Sequence, residues 1–172
     1  WFVKRDFDHA IADYNAAIRF DPNFFVAYNN RGDAWRSKGD LDRAAADFNR
    51  AIALSPQFAL AYSNRGLVAY QKREYKSAIA DFTKAIQLDP KNAQTFHRRA
   101  NAYDDSGDRS AALADYDMAA RLDPSGGGIL YDRGIADGRK GDVDRAIADL
   151  SESIRLYPQF AYARNARGAA YD

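Results

Sequence analysis

Five prolines punctuate this chain of 172 residues: Pro22, Pro56, Pro90, Pro124 and Pro158, each thirty-four residues after the last. A spacing held that strictly marks an internal repeat, and a period of this length points to stacked helix pairs. Segment 25–58, FVAYNNRGDAWRSKGDLDRAAADFNRAIALSPQF, shows the unit clearly. Tyr28, Arg31, Gly32 and Trp35 recur at helical spacing, and after Gly39-Asp40 a second helical run holds Ala44, Ala45, Phe48, Ala51 and Ile52. Gly39 suits a left-handed helix end, and Asp40 can cap the next helix by accepting from free backbone N–H groups. Pro56 lacks an N–H and disfavours helical geometry in Ser55, so the second helix should stop near Leu54. Two such helices cannot bury both apolar faces alone, and stacking copies buries them.

The small residues matter as much as the large ones. Gly32, Ala44 and Ala51 let helix axes approach, and Phe48 and Trp35 fill the space between units. The pattern Tyr28-x-x-Arg31-Gly32-x-x-Trp35, Ala44-x-x-x-Phe48, Pro56 resembles the tetratricopeptide repeat, with Arg31 standing where that family has leucine. The resemblance covers nearly the whole chain. It implies an all-α, right-handed superhelical solenoid of antiparallel helix pairs that recruits other proteins and is not an enzyme.

Complete repeats are expected at 25–58, 59–92, 93–126 and 127–160, with partial ones at 1–24 and 161–172, forming a single array. The chain begins at Trp1 within a repeat, which suggests a fragment of a longer protein. Asp6 should open a helix with Ala10, Tyr14, Ala17 and Ile18 on its buried face. In repeat 59–92 the expected aromatic has moved from Ala69 to Tyr70, placing a ring on a different face. Repeat 127–160 departs most from the pattern. It opens with Ser125-Gly126-Gly127-Gly128, carries Gly134 and Gly138 within its first helix, and has Asp137 where others hold an aromatic or alanine. A degenerate repeat or a hinge would explain it.

Arg31, Arg65, Arg99, Arg133 and Arg167 share the period, and so do Asp13, Asp47, Asp81, Asp115 and Asp149. Matched rows of opposite sign are expected to pair across helices and set register, not to build a field for phosphate. Arg31 could meet Asp13 of the preceding unit or Asp47 of its own. The overall balance of 25 Lys and Arg against 24 Asp and Glu argues against nucleic acid as a partner. No apolar run approaches the roughly 18–20 residues of a membrane span. The chain has no cysteine, and its two histidines, His9 and His97, stand far apart, so no metal or cofactor is expected. No nucleophile elbow or phosphate loop occurs, and no catalytic residues are assigned.

In a stacked array the first helix of each unit lines the concave surface. The candidate groove residues are Asn29, Asn30 and Asp33; then Asn64, Tyr70 and Gln71; then His97, Arg98, Asn101 and Asp105; then Tyr131 and Asp132. Asparagine amides can bond an extended peptide backbone, and Tyr or His can pack its side chains. Tetratricopeptide domains that hold chaperone C-termini use Lys and Asn, then Asn, then Lys and Arg across three repeats. The matching positions here hold Asn29 and Asp33, then Asn64, then Gln94 and Arg98. Both lysines are absent and Asp33 would repel a carboxylate, so that specialisation is not expected. The groove is therefore expected to take a peptide or helix of a protein partner. The alternative is an accessory domain positioning substrate for an enzyme encoded outside this segment. Trp1, Phe2, Tyr162 and Tyr171 at the two ends suggest end-to-end self-association.

Overall fold

The computed structural model describes residues 6–172, and Trp1 and Phe2 lie outside them. The described residues form ten α-helices and no strand. The chain divides after Pro90 into two compact units. The first holds α1 (Phe7–Phe20), α2 (Phe25–Ser37), α3 (Leu41–Leu54), α4 (Ala59–Gln71) and α5 (Tyr75–Leu88). The second holds α6 (Ala93–Ser106), α7 (Arg109–Leu122), α8 (Gly127–Lys140), α9 (Val143–Leu156) and α10 (Ala161–Tyr171).

The boundaries follow from the punctuation. The helices α1, α3, α5, α7 and α9 stop two residues short of the prolines, and the intervening Asp21, Ser55, Asp89, Asp123 and Tyr157 leave the helical region, with φ from -129 to -139 and ψ from 80 to 96. Asp6, Asp40, Asp108 and Asp142 cap α1, α3, α7 and α9, each accepting from the backbone N–H three residues on. The turn between paired helices needs a left-handed residue, which is Gly39, Gly107 and Gly141 in three repeats. In the fourth it is Arg73, at φ 61. A side chain in that region costs about 1–2 kcal/mol. Arg73→Gly is therefore expected to raise stability by about 1 kcal/mol, read as an upward shift of the urea midpoint; a fall would contradict the strain.

In the first unit Ala44, Phe48 and Ala51 of α3 and Ala78, Phe82 and Ala85 of α5 are almost wholly buried. Phe48 sits against Gly32, where a Cβ would lie 2.8 Å from the ring, and Phe82 sits against Gly66 at the same distance. In the second unit Ala100, Ala112, Leu113, Tyr116 and Ala136 form one cluster, and Leu150, Ile154 and Ala163 another. On α1 the fully buried residue is Ile11, while Ala10, Tyr14, Ala17 and Ile18 are half-buried. At the other end Tyr162 and Tyr171 are 73% and 67% exposed.

Gly127 and Gly134 of α8 serve close packing in an unbroken helix, whereas a Cβ on Gly128 would meet nothing within 4 Å. A Cβ on Gly127 would stand 2.2 Å from the Tyr157 ring, and Ser153 Oγ donates to the Gly127 carbonyl at 2.8 Å. Asp137 is 1% exposed, and its Oδ2 lies 3.0 Å from Arg145 Nε without receiving a well-directed hydrogen bond. Burial raises its pKa, with Arg145 opposing. A raised folded-state pKa means stability present below the unfolded value of 3.8 and lost as pH rises through the folded one. Asp137→Asn should therefore gain on the native protein as pH rises from below 3.8 to neutrality. Paired urea titrations at the two ends of that range would read it, and a constant difference would contradict it.

The arginine row is spent on structure. Arg31 donates to both oxygens of Asp47 at 2.8 and 2.6 Å, so it pairs within its own repeat. Arg65 does the same with Asp81, Arg99 with Asp115, and Arg133 with Asp149. The forked geometry suits guanidinium and carboxylate. These hydrogen bonds hold each of the four guanidinium groups above its ordinary pKa, against partial burial. The free Nη1 reaches back to the preceding repeat, from Arg31 to Asn15 and from Arg65 to Asn49, both at 2.6 Å, and from Arg133 to Asp117 at 3.0 Å. Each of these three arginines thus ties three consecutive helices together. Arg167 reaches Ser151 in the same way, at 3.0 Å.

Candidate partner-binding face

The first helices of successive pairs touch through polar side chains. In the first unit Asn64 Nδ2 donates to Asn29 Oδ1 at 3.1 Å, and Asn29 Nδ2 donates to Asn30 Oδ1 at 3.2 Å. Asn29 and Asn64 are buried at 2% and 8% exposure, so their amides hold α2 to α4. Asp33 accepts from Arg36 at 3.0 and 2.7 Å. Ala69 is buried and Tyr70 half-buried, its ring 5.8 Å from that of Tyr75. Gln71 is exposed.

The second unit repeats the register with other chemistry. His97 Nε2 lies 2.7 Å from Asp132 Oδ2. His97 and Asp132 occupy the repeat positions of Asn29 and Asn64, two periods on. Both contacts join residues 35 apart, one more than the period. A third tie of that separation, Arg139 to Asp104, was not expected from the sequence. Asp104 Oδ1 stays without a partner. The His97 ring lies 5.9 Å from Tyr116, whose hydroxyl donates to Asn101 Oδ1 at 2.6 Å. Arg98 is half-buried and Asp105 exposed. Tyr131 packs inward on Phe160, with ring centroids 4.9 Å apart.

The structure thus brings Asn29, Asn30 and Asn64 into one row, and His97 and Asp132 into one contact. It does not join Tyr131 or Asp33 to either. Among the described residues no group of three or more His, Cys, Asp or Glu could hold a metal ion. No described helix is long and apolar enough to cross a membrane. What the two faces offer is amide, carboxylate and guanidinium hydrogen bonding on a pre-arranged helical surface.

Comparison with known proteins accounts for this architecture. A search among curated proteins finds no match. Among solved structures, one described as the crystal structure of MamA is similar, at 24% identity and a TM-score of 0.80, covering 91% of each chain. A second, described as YrrB, a TPR protein with an unusual peptide-binding site, shares 24% identity at a TM-score of 0.78, covering 92% of this chain and 81% of that one. A third, residues 41 to the end of MamA from Desulfovibrio magneticus RS-1, shares 21% identity at a TM-score of 0.79, covering 90% of this chain and 87% of that one. At these identities the likeness is one of fold. Family models described as TPR repeat match residues 4–35 and 32–73. Models described as tetratricopeptide repeat match residues 59–92, 97–159 and 131–172. With repeat models running along almost its whole length and helix pairs beneath them, the chain belongs to the tetratricopeptide repeat family.

Proposed function

We propose that the protein is a non-catalytic interaction scaffold, and that the first-helix faces of its two units each bind a peptide segment or helix of a protein partner. The observation that carries this reading is the polar register 35 residues apart, which fixes α2 against α4 and α6 against α8. Side chains held in this way lose little further freedom on binding. Neighbouring side chains then supply the contacts: half-buried Asn30 and exposed Gln71 on one face, half-buried Arg98 and exposed Asp105 on the other. The near equality of 25 basic and 24 acidic residues supports a polypeptide ligand over a polyanion. The description of YrrB as having a peptide-binding site supports the same reading by likeness of fold.

The test is to select peptides from a random library against the intact chain and measure affinity for face variants. Asn30→Ala with Gln71→Ala, or Arg98→Ala with Asp105→Ala, should weaken a selected peptide about tenfold or more, equivalent to about 1.4 kcal/mol. Lys76→Ala and Asp144→Ala, exposed on second helices, should leave it unchanged. Loss with the second-helix variants alone would overturn the assignment.

A further inference from the structure

One repeat position is filled differently in each pair, and in α4 its filling is missing. Trp35 occupies it in α2, with Arg43 placed 4.5 Å and Lys38 5.6 Å from the ring centroid. Tyr103 occupies it in α6, and Asp137 with Arg145 in α8. In α4 the position is Ala69, and the counterpart of Arg43 is Ser77. Two small residues thus stand where the preceding repeat has an indole and a guanidinium. The result is a cleft of about 390 Å³ between α3, α4 and α5, floored by Ala45, Val68 and Ala69.

We propose that this cleft is a socket for a planar aromatic side chain, an indole in the first instance, presented by another polypeptide. The choice of a polypeptide as the source of the ring rests on the scaffold reading; the socket does not. The chain itself shows what fits, because its own tryptophan lies at the equivalent position one repeat earlier. Lys72, the counterpart of Lys38, lines the cleft and can lie over a bound ring as Lys38 does over Trp35. Its ion pair with Asp42 is no obstacle, since Lys38 makes the same pair with Asp8 while covering its tryptophan. Of the other charges at the cleft, Arg65 is held by Asp81, and Glu74 lines it together with Lys72. A neutral ring suits such a site better than an ion. Tyr70, the displaced aromatic, does not close the cleft, because its ring is turned to Tyr75.

The experiment titrates the intact chain with N-acetyl-L-tryptophanamide while following the methyl resonances of Ala45, Val68 and Ala69. A saturable perturbation centred on those methyls is expected. N-acetyl-L-leucinamide should bind at least about fivefold more weakly, and Lys72→Met should weaken the tryptophan amide about two- to fivefold through loss of the cation. Ala69→Trp should fill the socket from within and abolish the response at Ala45 and Val68. Should that variant fail to fold, the leucine amide and Lys72→Met comparisons decide. No saturable response, equal response to the leucine amide, no effect of Lys72→Met, or binding of free indole without the amide would each overturn the proposal. Tryptophan amide binding here, with no loss of peptide in the first-helix variants, would leave the socket standing and remove the face assignment instead.

Discussion

Phe82→Ala is expected to cost about 3–5 kcal/mol, the loss typical of deleting a fully buried aromatic ring. The ring is 0% exposed and lies between α4 and α5, with Gly66 against its edge. Nothing near it can collapse into the space, since the adjoining Ala78 and Ala85 are already buried at 0% and 1%. In a repeat array stability is close to a sum of unit and neighbour contributions, so the loss should appear first in the α4–α5 pair. Urea unfolding gives the magnitude, and amide exchange gives the place. Phe20→Ala is the control, because that ring is 92% exposed and its removal should stay within about 0.5 kcal/mol. Equal effects of the two would mean that the α4–α5 interface is not packed as described.

Gly66→Val should be the second most damaging change, at about 2–3 kcal/mol. A Cβ alone would lie 2.8 and 2.9 Å from two atoms of the Phe82 ring and 3.2 Å from the backbone carbonyl oxygen of Ala78. The ring is enclosed and the carbonyl belongs to a helix, so neither can move aside cheaply. Gly168 occupies the same repeat position in α10, and a Cβ there would meet nothing within 4 Å. Gly168→Ala should therefore be neutral or gain up to about 1 kcal/mol from helix propensity. Opposite signs at equivalent positions are the expected result of paired thermal and urea measurements. Destabilisation at both would point to a backbone requirement in place of close packing.

What could be read from the residues was whatever depends on one helix or one turn. The prolines placed the ends of the second helices, Gly39 and Asp40 placed a turn and a cap, and Gly32 announced a close approach of helices, though not that Phe48 of its own repeat would press on it. The pairing of the arginine and aspartate rows followed from their shared period, while the choice of Asp47 over Asp13 needed the packed helices. The register between first helices was not legible, because a separation of 35 residues is set by how neighbouring helices slide past each other. For that reason Asn29 and Asn64, polar and apparently ready for a ligand, turn out to be buried and bonded to each other. Tyr131 is a similar case, since its contact with Phe160 depends on the entry to α10. Asp137 and the glycines around it suggested a degenerate repeat or a hinge; the helix is continuous there and the carboxylate faces Arg145. The shift from Ala69 to Tyr70 was visible, but the cleft it leaves required the surrounding helices.

The most direct test of the scaffold reading is an amide chemical-shift map of the intact chain with a library-selected peptide. The account predicts that the largest perturbations fall on the first helices, around Asn30 and Gln71 of α2 and α4 or around Arg98 and Asp105 of α6. Perturbations confined to the second helices α3, α5, α7 and α9 would contradict it and move the binding surface to the opposite side of the helix pairs.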